Sequence, residues 1–265
     1  MSLIAGIHLS NKRLIIAEFI ILIFSAIISC VDKGNPNKLS SSDLLEVKLV
    51  LSYPSVTQEN KFFIARDSQY MIYYQDFTLY RFPYKKTFTS NTANPNGKVE
   101  SKITNMENRF QCFLYKKGGK FGYAFDSLNI TDAKRYKIDS FLMDRLSIDE
   151  NMISNSSDSL ISKNPDKSEE TYLRKKKINQ WDADTIKLVY SHQFKNIDFS
   201  FSKIIDSVKG KKLIKVTLIS KSNSKSEDYY FRQNREVIME LTSIPIVNPS
   251  IYSEIFKKYN KLDKN

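Results

Sequence analysis

The most regular pattern of hydrophobic and polar positions lies in the last third of the chain. Four segments there alternate between two sets of side chains: 185–190, 197–202, 213–220 and 235–242. In the last of them, Val237, Met239 and Leu241 share one side, and the glutamates share the other. Such alternation is typical of an antiparallel sheet that has one face in the core and one face in water.

The aromatic-rich part between residues 44 and 82 also favours strands, because β-branched and aromatic side chains pack well on a pleated surface. We predict strands at these positions: 44–53, 62–65, 69–74 and 77–82. Both sides of residues 70–74 are apolar, which indicates a central strand. The aromatic side chains and Arg81 would suit stacking on sugars or bases, but a tyrosine-rich core is the simpler interpretation.

Two hairpins are indicated by their turns. Residues 110–126 contain two apolar runs around Lys116–Gly119, and paired glycines there suit the positive φ values of a tight turn. A second hairpin is expected to join 228–232 to 235–242 around residues 233–234.

Three segments have the spacing of helices. Residues 131–148 carry a loose apolar stripe, and Ile204–Val208 predicts a short helical turn that ends at Gly210. Asn248 and Pro249 suit the N-cap and the first position of a C-terminal helix. The expected buried stripe of that helix consists of Ile251, Ile255, Phe256 and Tyr259.

These patterns predict an α+β fold, namely an antiparallel β-sheet-dominated domain with a C-terminal helix over residues 44–265. Two polar segments interrupt it. Residues 85–108 are expected to form a long loop around Asn94–Gly97, and residues 151–170, which contain no aromatic residue, an internal loop.

The N-terminal stretch has a different character. Lys12 and Arg13 precede a mostly apolar run, Leu14–Ser29, an order of charge and apolar residues that is typical of a secretory signal. As a helix this run would be about 24 Å long, whereas the hydrocarbon core of a bilayer is about 30 Å thick. Length therefore favours a cleaved signal over a membrane span.

The final residues of this stretch, Ile27-Ile28-Ser29-Cys30, resemble the lipobox of bacterial lipoproteins. With the polar segment that follows and the Lys-, Asn- and Ile-rich composition, the chain resembles lipoproteins of Bacteroidetes-type bacteria. The resemblance implies a signal peptide at 1–29, a lipid on Cys30 and a flexible tether at 30–43. Val31, where an inner-membrane retention signal would place aspartate, favours the outer membrane.

The net charge of +12 does not by itself indicate nucleic acid. The lysines are scattered apart from Arg174–Lys177, and an exported protein rarely meets nucleic acid as its purpose. A solvated, soluble surface is the simplest interpretation. Attraction to an acidic membrane face near the anchor is the alternative.

Few residues offer chemistry. With Cys30 acylated, Cys112 has no disulfide partner and is expected to pack in the core. His192 is the sole histidine after the signal, so a zinc site is not expected, and no nucleotide-binding or hydrolase motif occurs. We expect no catalytic, cofactor-binding or metal-binding residues. Four acid pairs are interpreted as solvated charges: Asp149/Glu150, Glu169/Glu170, Asp182/Asp184 and Glu227/Asp228.

The sequence therefore predicts a non-catalytic binding or scaffold protein of the cell envelope, held to the membrane by lipid, with envelope proteins as further partners and no nucleic acid. An envelope hydrolase that uses acidic or Ser/His residues is one alternative, and an inhibitor or immunity lipoprotein is another. A sheet with a large apolar cavity would favour ligand carriage, whereas a polar cleft that gathers His192 or an acid pair would favour an enzyme.

Overall fold

The computed structural model describes residues 44–93, 96, 99–126, 132–146, 153, 158–177 and 182–262. All of them belong to one compact unit, residues 40–265. The predicted signal peptide, Cys30, the tether up to residue 43, and the acid pair Asp149/Glu150 lie outside the described residues.

The described residues form one eleven-stranded antiparallel sheet with three α-helices. The strands are β1 (Leu44–Val56), β2 (Phe62–Tyr74), β3 (Phe77–Ala93), β4 (Val99–Lys116), β5 (Phe121–Asp126), β6 (Lys134–Lys137), β7 (Asp158–Lys163), β8 (Glu169–Arg174), β9 (Thr185–Ser191), β10 (Lys212–Ser220) and β11 (Arg235–Ile244). The helices are α1 (Ile138–Leu146), α2 (Lys203–Lys209) and α3 (Pro249–Leu262).

The order of strands across the sheet is β6-β5-β4-β3-β2-β1-β11-β10-β9-β8-β7. Neighbours in the sheet are neighbours in the chain everywhere except at the centre, where β1 pairs with β11, and the consecutive strands β6 and β7 lie at opposite edges. In the pairing of β1 with β11, Leu49 lies opposite Leu241. The first and last strands of the chain are therefore adjacent, and closing the centre of the sheet requires a contact between distant parts of the sequence.

An antiparallel sheet with a C-terminal helix is confirmed. Strands account for 56% of the described residues and helices for 17%, so the protein is mainly sheet and the α+β class fits it only loosely. The alternating segments 185–190, 213–220 and 235–242 are strands. The hairpin at 110–126 is also confirmed, although of its two turn glycines only Gly118 has a positive φ, of 77°.

The polar segment 85–108 is not a loop. Most of it belongs to β3 and β4, which continue past Phe82 and Gln111 as a two-stranded ribbon, up to a pair between Ala93 and Val99. Both sides of this ribbon are largely exposed, so its sequence needs no apolar alternation. The main-chain hydrogen bonds between the two strands hold it, and composition does not report those bonds.

The prediction of an internal loop at 151–170 was also wrong in part. It contains the whole of β7 and the start of β8, which pair with each other. Strand β7 lies at an edge of the sheet, and most of its residues are exposed. A polar composition is compatible with such an edge strand.

Four smaller expectations need correction. Residues 134–137 form strand β6, so the helix expected at 131–148 begins only at Ile138. Residues 229–232 form a 3₁₀ helix instead of a strand. Residues 197–202 form no strand, although their apolar members are buried. In α3, Ile251 is 38% exposed and Tyr252 takes its place in the buried stripe. The alternation at 197–202 and three of the four residues of the helical stripe correctly reported burial, but neither pattern identifies the backbone conformation or the angle at which a helix docks.

Two apolar clusters cover the two faces of the sheet. On the first face, helices α1 and α2 and the segment 194–201 pack on a cluster that includes Val47, Met71 and Phe113. On the second face, α3 packs on a cluster that includes Ile72 and Leu79. Because residues 70–74 contribute to both clusters, their interpretation as a central strand is confirmed.

Candidate functional site

A cavity of about 1000 Å³ lies on the first face of the sheet. Its walls come from α1, from residues 197–203 and from the turn between β4 and β5. We call it the tyrosine cavity, because Tyr80 and Tyr115 line it from the sheet. Its apolar wall residues are Ile138, Leu142, Met143 and Leu146 of α1 together with Ile197, Phe199 and Phe201.

Helix α1 is held on the sheet by aromatic stacking. The ring of Phe141 lies 4.0 Å from the ring of Phe113, nearly parallel to it, and 6.1 Å from the ring of Phe82. These contacts fix the helix over β3 and β4. The opposite side of the helix remains open, and Met143 is 69% exposed beside the cavity.

The second wall has no strand structure and is held by Asp206 of α2. This carboxylate accepts hydrogen bonds from the Ser200 hydroxyl at 2.6 Å and from the Leu213 backbone N–H at 2.7 Å. It also lies 3.0 Å from the ammonium group of Lys212. Lys212 in turn donates to the Ile197 carbonyl at 3.3 Å. One buried ion pair thus ties α2, β10 and the segment 197–200 together.

The floor of the cavity contains two buried tyrosines, Tyr80 and Tyr115, whose rings lie 6.1 Å apart. The neighbouring Tyr73 hydroxyl donates to the Met71 sulfur at 3.3 Å. Burial raises the pKa of Tyr115 to about 12, and it also raises the pKa values of Tyr80 and Tyr73 well above their ordinary value. These phenols stay neutral at physiological pH, so they can donate or accept hydrogen bonds but carry no charge.

Six of the described charged side chains also line the cavity, and four of them form two ion pairs, Lys212–Asp206 and Lys117–Asp198. The Lys117 ammonium group is 3.0 Å from the carboxylate of Asp198, which lies in the segment 197–203 and lines the cavity with the tyrosines. Asp139 and Lys203 also line the cavity. An apolar interior with a few polar groups is the usual composition of a site for a small organic ligand.

The residues singled out from the sequence do not meet in this cavity. Cys112 is fully buried on the second face, where burial raises its pKa to about 12, so the expected core packing is confirmed. His192 follows β9 and is exposed. Neither residue lines the tyrosine cavity.

The acid pairs behave differently from one another. Glu227 and Asp228 are exposed, as expected, and Asp228 caps the 3₁₀ helix by accepting from the Tyr230 N–H. Asp184 is half-buried and lies 2.7 Å from Lys177. Burial opposes ionisation of Asp184, but that contact and the Lys221 N–H together lower its pKa.

The interpretation of Glu170 as a solvated charge was wrong. Its side chain is 1% exposed and accepts hydrogen bonds from the hydroxyls of Tyr172 at 2.9 Å and Tyr190 at 3.0 Å. The Lys209 ammonium lies 2.7 Å away. Burial by itself would raise the pKa of Glu170, but these three partners outweigh it, so the pKa is lowered.

A second buried polar residue on β8 was missed. Arg174 pairs with Asp158 through two hydrogen bonds, at 3.0 and 3.1 Å. Glu170, Tyr172 and Arg174 alternate along β8, and this two-residue period was the available signal. Because Glu170 and Arg174 are charged, this period differs from the apolar alternation that marks the other strands. Both networks join structural elements, and neither provides a nucleophile beside a base.

Comparisons with known proteins add no assignment to this geometry. No protein-family model matches the sequence, and no curated protein matches it significantly.

None of the helices in the described ranges has the length and apolar composition needed to cross a membrane. Within the same ranges, no group of three or more His, Cys, Asp or Glu side chains could hold a metal ion.

Proposed function

We propose that this protein is a lipid-anchored, non-catalytic binding protein of the bacterial cell envelope, and that the tyrosine cavity takes an apolar or amphipathic ligand such as a fatty acyl chain. The observation that carries the proposal is the size and composition of that cavity. The cavity has a volume of about 1000 Å³, and seven apolar residues from α1 and from the segment 197–203 form its walls.

The dimensions suit a ligand of this class. Sites for small molecules usually have volumes of about 300–1,000 Å³. Each methylene group of an acyl chain that leaves water for an apolar wall contributes about 0.8 kcal/mol, so a long chain has a large driving force for entry. Met143 and the neighbouring turns of α1 offer such a wall at the solvent boundary.

The polar groups of the cavity suit a head group that can form hydrogen bonds. Tyr80 and Tyr115 are neutral phenols, and burial raises their pKa values further. Lys117 is paired with Asp198, and Lys203 also lines the cavity. The tyrosine hydroxyls can hydrogen-bond a carbonyl, hydroxyl or carboxylate group, and the two lysines can offset the charge of a carboxylate.

The anchoring part of the proposal rests on the sequence. Removal of residues 1–29 and acylation of Cys30 would place the domain at the end of a tether of 14 residues, 30–43. Several acyl chains at one cysteine give stable attachment, since a single chain binds only marginally. The outer membrane is the proposed location, and envelope proteins are the proposed further partners.

A binding assay on residues 40–265 tests the cavity. A fluorescent palmitate analogue is expected to bind saturably, and Leu142→Trp is expected to weaken that binding by about tenfold because the indole fills the wall space. Val247→Trp is the matched control, since Val247 is 84% exposed and does not line the cavity.

Circular dichroism of both variants verifies that the domain is folded. The proposal fails if the wild-type domain shows no saturable binding. It also fails if both tryptophan variants lose binding equally while remaining folded.

A further inference from the structure

A second cavity, of about 590 Å³, lies on the same face of the sheet but on the other side of α1. It begins where the β3–β4 ribbon leaves the sheet. Its wall contains Tyr84 of β3, Gln111 of β4, Asp126 of β5 and Tyr136 of β6, and Arg145 from the end of α1. It shares no lining residue with the tyrosine cavity.

The register of the sheet places these side chains on one face. Gln111 pairs with Asp126, and Tyr84 pairs with Arg109, so side chains from β3, β4 and β5 converge. Tyr136 pairs with Gly122, which has no side chain, and the Tyr136 ring lies 5.6 Å from the ring of Phe141 of α1. The site is thus built from strand residues, whose positions are more rigid than those of loops.

Asp126 is the oriented polar group of this cavity. One carboxylate oxygen accepts from the Tyr84 hydroxyl at 2.7 Å, and the other accepts from Arg109 at 3.0 Å. These two bonds hold the carboxylate in a fixed orientation at the cavity wall.

Other polar side chains around the cavity have no hydrogen-bond or ion-pair partner among the described residues: Gln111, Asp132, Lys134 and Arg145. They include an amide that both donates and accepts, one acceptor and two donors. The guanidinium group of Arg145 lies 5.8 Å from the centroid of the Phe141 ring.

The cavity lining carries charges of both signs, so a strongly charged ligand fits it less well than a neutral one. Asp126 and Asp132 oppose Lys134 and Arg145, so an anion would meet two carboxylates and a cation would meet two basic groups. A neutral ligand with many hydroxyl groups satisfies donors and acceptors together, without burying a charge.

Aromatic side chains complete the pattern. Tyr84 is 37% exposed and Tyr136 is 43% exposed, while Phe82 is buried at the cavity wall. An amphipathic tyrosine ring offers an apolar face to the C–H side of a flat polar ring and keeps its hydroxyl free to hydrogen-bond. We propose that this cavity binds a neutral saccharide, stacked on Tyr136 and hydrogen-bonded by Gln111 and Arg145.

Glycan-array screening of residues 40–265, followed by calorimetry with the best neutral oligosaccharide, tests this proposal. Tyr136→Ala and Arg145→Ala are each expected to weaken binding by about tenfold. Arg135→Ala is the matched control, because Arg135 lies on the same strand but packs over Phe121 instead of lining the cavity. All three positions are at the surface, and circular dichroism confirms folding.

Three outcomes would overturn the saccharide site: no neutral glycan binds, only anionic glycans bind, or Tyr136→Ala binds as tightly as the wild type. The palmitate assay separates this inference from the proposed function. Tyr136→Ala should leave palmitate binding unchanged, and Leu142→Trp should leave glycan binding unchanged, so either site can fail without the other.

Discussion

The carboxylate of Glu170 lies 2.7 Å from the ammonium group of Lys209 and so joins β8 to α2. Helix α2 in turn carries Asp206, which binds Ser200 and Lys212 and so holds the segment 197–200 in the wall of the tyrosine cavity. The two members of this ion pair are more than thirty residues apart in sequence. The pair joins a buried carboxylate to α2 and thereby stabilises the wall of the cavity. Its members are residues that polar composition alone would place in solvent.

Replacing Glu170 by glutamine should destabilise the domain. The amide keeps the size of the side chain but loses the charge-assisted bond to Lys209 and imperfectly matches two tyrosine hydroxyls. We expect a loss of about 1.5–3 kcal/mol in the free energy of unfolding, measured by urea denaturation. Glu169→Gln, on the outward side of the same strand, should change it by less than about 0.5 kcal/mol. Equal effects of the two substitutions would contradict the buried role of Glu170.

The same carboxylate should make stability depend on pH. Because the folded pKa of Glu170 is lowered, the unfolded state binds its proton more readily and the charged form stabilises the fold. This contribution is complete above the unfolded pKa of about 4.3 and is lost as pH falls from there through the folded pKa. The stability difference between wild type and Glu170→Gln should therefore shrink between about pH 6 and about pH 3. A difference that grows on acidification would contradict this sign.

Cys30→Ala is expected to abolish palmitate labelling in cells and to separate the protein from its lipid anchor. Cys112→Ala provides the control within the same chain, since Cys112 is buried with a raised pKa and should not be acylated. Radiolabelled palmitate followed by immunoprecipitation reports both. Labelling that persists without Cys30, or that disappears without Cys112, would refute the proposed anchor.

Gly122→Ala should destabilise the packing of β5 against β4. A Cβ atom there would lie 2.6 Å from the ring of Phe113 and 2.9 Å from the Leu114 carbonyl oxygen. Phe113 cannot withdraw easily, because Phe141 stacks against it at 4.0 Å. We expect a cost of about 1–3 kcal/mol by urea denaturation.

A double-mutant cycle shows whether the clash with Phe113 causes that cost. The shorter side chain of Phe113→Leu should make Gly122→Ala less costly than it is in the wild type. Additive effects would show that the contact with Phe113 is not responsible.

The strands were predictable where one of their faces is apolar. Val237, Met239 and Leu241 of β11 and Ile186 and Leu188 of β9 reported their burial through a two-residue period. The ribbon of β3 and β4 beyond Phe82 was not predictable in this way, since neither of its sides is buried. No apolar period marks a strand that only main-chain hydrogen bonds hold in place.

The candidate sites were less predictable than the sheet. Tyr80 lies in the strand predicted at 77–82 and Tyr115 in the predicted hairpin, whereas Tyr84 lies beyond both. The division of these tyrosines between two cavities depends on where α1 lies. That position follows from the stacking of Phe141 on Phe113, a contact between residues in different elements. A residue's own neighbours in sequence do not contain this information.

By itself, the sequence determined that the chain is mainly antiparallel strands followed by a helix that starts at Asn248–Pro249, and that Cys112 belongs to the core. Local periodicity and capping chemistry suffice for these conclusions, because they depend on neighbouring residues. Only the tertiary structure decided that β1 lies beside β11, that Glu170 is buried, and that two cavities flank α1. Each of these depends on partners far apart in the chain, whose mutual burial no local pattern records.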